Sequence, residues 1–334
     1  MGSEPSRDCL TGKGGGRDHR PGAAGPAAPS GRQHHLEAGD QEVTVTEVGA
    51  TLRVYRVGGV PVLDGFGEDE LCRDGRGQLL IPWPGRVGDG RYRFRGEEHQ
   101  LPLNEVPLGN AIHGLARWAS WVAEPLSARR LVMRHHLHPQ EGYPFDLDLA
   151  VTYELCGAGL EVEIAATNRG RLPAPYGAGA HPYLTVGTPS LDACRLRLPA
   201  ATRLLSDPRL LPCGRTPVDG TEYDFRKERP IGELRMNTAF SDLVRDADGL
   251  ARVSLASPQG RRLVLWMDAG FPWLMVFTGD THPRLEDRRR SLAVEPMTCP
   301  PDAFRSGEDL VALEPGQTVA ARWGIDLAGF RVPA

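Results

Sequence analysis

Three side chains in this 334-residue sequence have the chemistry and the setting of a reactive centre: His113, His181 and Glu295. His181 closes the small-residue run Tyr176-Gly177-Ala178-Gly179-Ala180 and is followed by Pro182. Glycine lets a backbone approach a ligand closely. Proline fixes the next turn and ends the strand, so the imidazole is presented at a strand end. His113 stands between Ile112 and Gly114, and Glu295 between Leu292-Ala293-Val294 and Pro296. In β proteins, sites gather where strands give way to loops on a rigid scaffold. A histidine and a carboxylate within hydrogen-bond reach of one substrate supply a general acid and a general base, each worth roughly 10²–10⁴-fold in rate. Each of the three also has a plainer reading as an edge or core side chain satisfied by backbone. Their joint occurrence is what favours chemistry.

No nucleophile motif competes. The sequence has no Gly-x-Ser-x-Gly, no Walker A loop and no Gly-x-Gly-x-x-Gly after a strand. The group His135-His136-x-His138 looks metal-like, but strand alternation would put His136 and His138 on one face and His135 on the other. It reads as a solvated strand end. The six cysteines (9, 72, 156, 194, 213 and 299) form no Cys-x-x-Cys pair and no zinc spacing, which fits reduced thiols in a cytoplasmic protein. Two histidines and a carboxylate are also a metal set, so a metal-dependent hydrolase built on His113, His181 and Glu295 is an alternative.

The elements that would hold these residues are strands. Phe145, Leu147, Leu149, Val151, Tyr153 and Leu155 alternate with polar residues, a strong period of two. Cys156-Gly157-Ala158-Gly159 turns the chain, and Leu160, Val162, Ile164 and Ala166 answer, which predicts a hairpin. Shorter strands are expected around Leu196, Val253, Leu263–Met267, Leu274, Leu292 and Thr318 to Ile325. No segment has a convincing amphipathic helix, and 29 prolines and 40 glycines punctuate the chain. The expectation is an all-β, antiparallel sandwich or barrel. Residues 1–38 are polar, rich in Gly, Pro and Arg, and are expected to form a disordered tail; residues 39–334 are expected to form one β domain. Lys13 and Lys227 are the only lysines among 39 basic side chains, and the formal charge is −4. That balance argues against a nucleic-acid partner. With no apolar h-region and no run of about 18 apolar residues, neither a signal peptide nor a membrane span is expected.

Further short pieces fall in a specific order. They are Pro84-Gly85-Arg86-Val87, Tyr92-Arg93-Phe94-Arg95-Gly96, Leu103-Asn104, and Asn110-Ala111-Ile112-His113-Gly114 with Trp118 and Trp121. Then come Gly142-Tyr143-Pro144-Phe145, Ala166-Thr167-Asn168, His181-Pro182-Tyr183, Val294-Glu295-Pro296 and Pro300-Pro301-Asp302-Ala303-Phe304. From about Val43 to Leu327 the sequence resembles the aldose 1-epimerase (galactose mutarotase) family. The resemblance implies a large antiparallel β-sandwich of the galactose-mutarotase-like type, with a monosaccharide in an open cleft. It implies His181 as general acid, Glu295 as general base, and Arg86 and His113 as sugar-holding residues. It implies no metal and no cofactor. The family's sugar-binding aspartate aligns best with Asn237, and Asp242 is the nearest alternative. An asparagine keeps an acceptor and adds donors.

The implied reaction interconverts the α and β anomers of an aldohexose or a derivative. His181 would begin protonated and Glu295 ionised, a state their mutual attraction favours. A phosphorylated or sulfonated sugar would call for two or more arginines converging near C6. Trp273 is the candidate stacking platform among six tryptophans. The alternatives are a carbohydrate-binding protein without turnover, the metal-dependent hydrolase, and a glycoside hydrolase, which would need two carboxylates flanking the bond. A monomer or homodimer is expected.

Overall fold

Alternation in the sequence becomes two large antiparallel sheets. The computed structural model describes residues 28–327, 329 and 330. Nine strands form one sheet, in the order Val122–Ser127, Arg130–Leu137, Leu147–Cys156, Gly159–Asn168, Thr318–Asp326, Arg262–Met267, Ala251–Ala256, Arg195–Arg197 and Arg229–Pro230. The expected hairpin is its centre: Leu147 pairs with Asn168 and Cys156 with Gly159, across a two-residue loop. Leu147, Leu149, Val151, Tyr153 and Leu155 are all buried, each worth roughly 1.5–3 kcal/mol relative to exposure.

The second sheet runs Pro212–Pro217, Ala200–Ser206, Asn237–Leu243, Trp273–Phe277, Leu292–Met297, Gly179–Ala180 and Leu79–Leu80, with Tyr183–Leu184 also pairing onto Leu292–Met297. Phe240, Leu274, Val276, Leu292 and Val294 from this sheet share one apolar core with Leu149, Val151 and Tyr153 from the first. That shared core makes the fold a β-sandwich. Helix is confined to one α-turn, Ala303–Ser306, and three short 3₁₀ turns among the described residues. No helix there is long and apolar enough to cross a membrane.

The expected tail, residues 1–38, needs correction at its end. Gln33–Ala38 is a strand that pairs along its whole length with Gln41–Thr46 in a four-stranded sheet. Leu36 is buried, and Gln33 accepts a hydrogen bond from the buried Arg53 at 2.8 Å. One aliphatic residue and backbone pairing to an existing strand suffice where composition alone suggested too little to bury. Residues 1–27, also assigned to that tail, lie outside the described residues.

Candidate active site

The strand Leu292–Met297 is buried on both faces. Leu292 and Val294 enter the shared core, so a period of two turns Ala293, Glu295 and Met297 to the opposite face. Across the sheet, Met275 pairs with Glu295, Phe277 with Ala293, and Asn237 with Phe277. Register alone therefore gathers Asn237, Met275, Phe277 and Glu295 on one face. They line a cleft of about 470 Å³ together with Arg86, Glu105, His113, Arg117, Trp118, His181, Asp74 and His282.

His181 lies between the two short strands, Gly179–Ala180 and Tyr183–Leu184, that both pair with Leu292–Met297. Its backbone is fixed on both sides: its N–H donates to the Gln78 carbonyl at 3.0 Å, and its carbonyl accepts from Gly77 at 2.9 Å. The ring stacks on Tyr183, with centroids 4.9 Å apart and planes 11° from parallel. Gly75, at φ +76°, allows this approach, since a Cβ there would stand 2.8 Å from His181 Cδ2. His181 Nε2 lies 3.3 Å from Glu295 Oε1, and both side chains are buried. The sequence's acid and base thus meet.

Their electrostatics differ from the sequence expectation. Burial lowers the His181 pKa to about 3, aided by the nearby His282, Arg76 and Arg117 and opposed by a backbone hydrogen bond. Burial raises Glu295 to about 8, with Arg86 pulling weakly the other way. Between those values the pair holds one proton, as carboxyl and neutral imidazole. The ion pair expected from mutual attraction carries the same number of protons, but desolvation disfavours both of its charges.

His113 comes from the turn after Asn110–Ile112, at φ +63°. Its ring is perpendicular to that of His181, with centroids 5.5 Å apart. Gly114 permits the turn: at φ +71°, a Cβ would sit 2.0 Å from the Ile81 carbonyl oxygen. Burial, and then His181, Arg117 and Arg86, push the His113 pKa well below its ordinary value. A neutral ring there offers one donor and one acceptor. Arg86 pairs with Ile112 across two short strands, which places it beside His113. Its Nε and one terminal nitrogen each donate to Glu105 at 2.8 Å, leaving three N–H groups for a ligand.

Asn237 lines the cleft, as the better alignment expected. Asp242 does not. It is exposed, at φ +53° near the far end of the same strand, five residues or roughly 17 Å along. Trp273 also lies outside the cleft wall. It packs with Leu204, Ala239, Met275 and Met297, and its Nε1 donates to Asp309 at 2.7 Å. Trp118 is the most exposed aromatic bordering the cleft, beneath the Arg117 guanidinium at 5.7 Å.

Sequence reasoning missed Asp74, Glu105, Arg117 and His282. The run Arg73-Asp74-Gly75-Arg76-Gly77 and the triplet Thr281-His282-Pro283 carried the same glycine and proline signals that marked His181. Ten buried side-chain atoms lack a hydrogen-bond partner among the described residues, and five belong to residues of this cleft: Gln78, His113, Arg117, His181 and His282. Native interiors rarely leave such atoms unpaired, so their concentration sets this cleft apart from the rest of the interior.

No three His, Cys, Asp or Glu side chains come together as a metal site among the described residues, so His113, His181 and Glu295 do not form the ligand set of the hydrolase alternative. Asp74 and Glu105 are tied to Arg76 and Arg86. Neither is free to act as a second glycosidase carboxylate. His135, His136 and His138 are also far from forming a site. His136 contacts Asp146 and Asp148 and stacks near His138 at 4.1 Å, while His135 turns to Trp121.

The model of the family described as aldose 1-epimerase matches residues 32–325. The chain belongs to the aldose 1-epimerase family. An uncharacterized protein of Escherichia coli K12, YihR, is 37% identical over 289 residues, covering 86% of this chain and 91% of that protein. The galactose mutarotase of Rattus norvegicus is 32% identical over 155 residues, 44% of each chain. Among solved structures, an aldose epimerase homologue from C. elegans superposes with a TM-score of 0.78 at 17% identity, covering 90% of this chain and all of that one. A galactose 1-epimerase from Lactobacillus acidophilus gives 0.76 at 21%, covering 90% and 95%. The galactose-mutarotase-like sandwich is thus the fold of this aldose epimerase family member.

Proposed function

We propose that this family member is a mutarotase that interconverts the α and β anomers of an aldohexose or a close derivative. Its main support is the His181–Glu295 pair, 3.3 Å apart on the floor of a cleft rich in unpartnered polar atoms. Glu295 takes the proton from the hydroxyl on C1 as His181 delivers one to the ring oxygen. The C1–O5 bond breaks and leaves an aldehyde. Rotation about C1–C2 turns its other face to the C5 hydroxyl, and reclosure returns both protons. The pair ends as it began, so no redox step or covalent intermediate is needed. The single proton held by the pair fits this exchange, because moving it from Glu295 to His181 creates the working acid and base without uptake from solvent. His113, Arg86 and Asn237 hold hydroxyls around the ring.

An aldohexose is favoured over a sugar carrying a phosphate or sulfonate. Arg86 is neutralised by Glu105, and Arg76 is paired with Asp74. Arg117 remains as a cleft guanidinium with an unpartnered Nε, one arginine where two or more were expected for an anion.

Polarimetry on freshly dissolved α-D-glucose and α-D-galactose tests the reading. The native protein should speed the approach to anomeric equilibrium, and Glu295→Gln and His181→Asn should each lose roughly 10²–10⁴-fold in kcat. A native protein that adds nothing over buffer on either sugar would overturn it.

A further inference from the structure

We propose that Arg209, which is not itself part of the cleft lining, is the positioning residue for Arg86 and acts through Asn110 and Glu105. This rests on the reading of the cleft as a sugar site with Arg86 among its contacts. The relay can be followed bond by bond. Glu105 accepts the Arg86 fork on both carboxylate oxygens, at 2.8 Å each. Its Oε2 also accepts from Asn110 Nδ2 at 2.9 Å. The same Nδ2 donates to the Arg209 carbonyl at 3.0 Å, and Asn110 Oδ1 accepts from the Arg209 guanidinium at 3.3 Å. Asn110 is fully buried, and these partners fix which way its amide points. Turned over, its oxygen would face the Glu105 carboxylate and its NH₂ would face the guanidinium.

Glu105 needs such a hold because its own loop has little in the core. The 3₁₀ turn that follows it, Val106–Leu108, buries no residue, and Val106 is 72% exposed. A single turn of this kind ends in carbonyls without partners inside the turn. Arg209 satisfies them from another part of the chain. Its Nε donates to the Leu108 carbonyl at 2.9 Å, and one terminal nitrogen donates to the Gly109 carbonyl at 2.8 Å. Arg209 is anchored in turn: Asp207 Oδ1 accepts from the backbone N–H groups of Arg209 and Leu211, at 2.8 and 2.9 Å, and Leu211 is buried. Leu210, at φ +61°, lines the cleft beside Leu108. The turn between Ala200–Ser206 and Pro212–Pro217 thus walls the cleft and holds the partner of Arg86. A surface ion pair with Asp89, 2.9 Å away, would explain none of the bonds to the 108 and 109 carbonyls.

Arg86 would hold sugar hydroxyls alike in the ground and transition states, so loosening it should fall on KM. Arg209→Met keeps much of the side-chain bulk and removes every side-chain donor, while Arg209→Lys keeps one charged donor group. The expected result is that Arg209→Met raises KM in polarimetry and the calorimetric Kd for D-galactose about fivefold, with kcat within about twofold of native. Arg209→Lys should recover part of the loss. Added to Glu105→Gln, Arg209→Met should cost little more, because both act on one contact. Native KM and Kd in Arg209→Met would overturn the proposal. So would an effect that simply adds to that of Glu105→Gln, or a fall in kcat with KM unchanged, the marks of a role confined to the fold. If Arg209→Met does not fold, Arg209→Lys carries the same comparisons. If the native protein binds galactose without accelerating mutarotation and Arg209→Met still weakens binding, the positioning role stands and the mutarotase reading falls. If the native protein neither binds nor turns over aldohexoses, both fall.

Discussion

Glu295 has an environment that suits the proposed acid–base role at the expense of stability. Burial raises its pKa from 4.5 to about 8, so the folded chain keeps a proton that the unfolded chain releases. Stability contributed by that proton is complete below pH 4.5 and declines as pH rises toward 8. His181 acts in the opposite sense, because the fold excludes a proton between about 3 and 6.5 that the unfolded chain would bind. Glu295→Gln should therefore melt higher than native at pH 8, by about 2 °C or more, and near native at pH 4, as scanning calorimetry at the two values would show. The same two pKa values bound activity. Below about 3 the pair gains a second proton and loses its base, and above about 8 it loses its only proton and its acid. The pH–rate profile should be a broad bell with those limbs, and a rate flat through pH 10 would contradict the acid–base assignment. His181, His113 and Glu295 were legible as candidates because glycine and proline mark strand ends. Their protonation was not, because burial is set by neighbours far away in sequence. Asp74 and His282 were overlooked for the same reason: neither means much until the fold sets them 3.1 Å apart.

At the scale of elements, alternation and pairing register do most of the positioning. The hairpin of Leu147–Cys156 and Gly159–Asn168 could be read directly, since one face is apolar at every second residue. The Leu292–Met297 strand was harder, because both of its faces are buried and the side bearing Glu295 looks like core. Asn237 and Asp242 show how parity decides. Five residues apart, they cannot share a position on the sheet, and only Asn237 falls in register with Phe277 at the cleft. The tight turns matter as much as the strands. Gly114→Ala would place a methyl 2.0 Å from the Ile81 carbonyl at a positive φ, which should cost more than about 2 kcal/mol and shift His113. Gly75→Ala is milder in its clash but aimed at the chemistry, since the methyl meets the His181 ring at 2.8 Å. Kinetics should show Gly75→Ala losing kcat by about tenfold or more, with a smaller fall in melting temperature than Gly114→Ala.

Across the whole molecule, the two large sheets supply the core and the small N-terminal sheet closes one side of it. Leu36, Val43, Val45, Leu52 and Tyr55 belong to the same apolar core as the large sheets, so the first strand, Gln33–Ala38, is part of the domain. Composition had suggested a boundary at residue 39 because a polar, Pro-rich stretch merges into this strand without a break. Pairing with a neighbour can order a segment that has little apolar area of its own. Glu37 also donates its backbone N–H to Ala128 at 2.8 Å, linking the small sheet to the turn before Arg130–Leu137. A chain beginning at residue 39 would leave the Gln41–Thr46 edge unpaired, uncover Val43, and strip the buried Arg53 of the Gln33 bond. Each loss is modest, but an unsatisfied buried guanidinium donor alone costs roughly 1–3 kcal/mol. The small sheet also reaches toward the cleft, since the Leu52 amide bonds to the Gly77 carbonyl, next to the Gln78 clamp on His181. Truncation to residue 39 should therefore lower the melting temperature by several degrees compared with a chain beginning at residue 28, and also reduce kcat at a temperature where both are folded. A truncated chain with native melting and native kcat would show that the first strand is dispensable to both the core and the site.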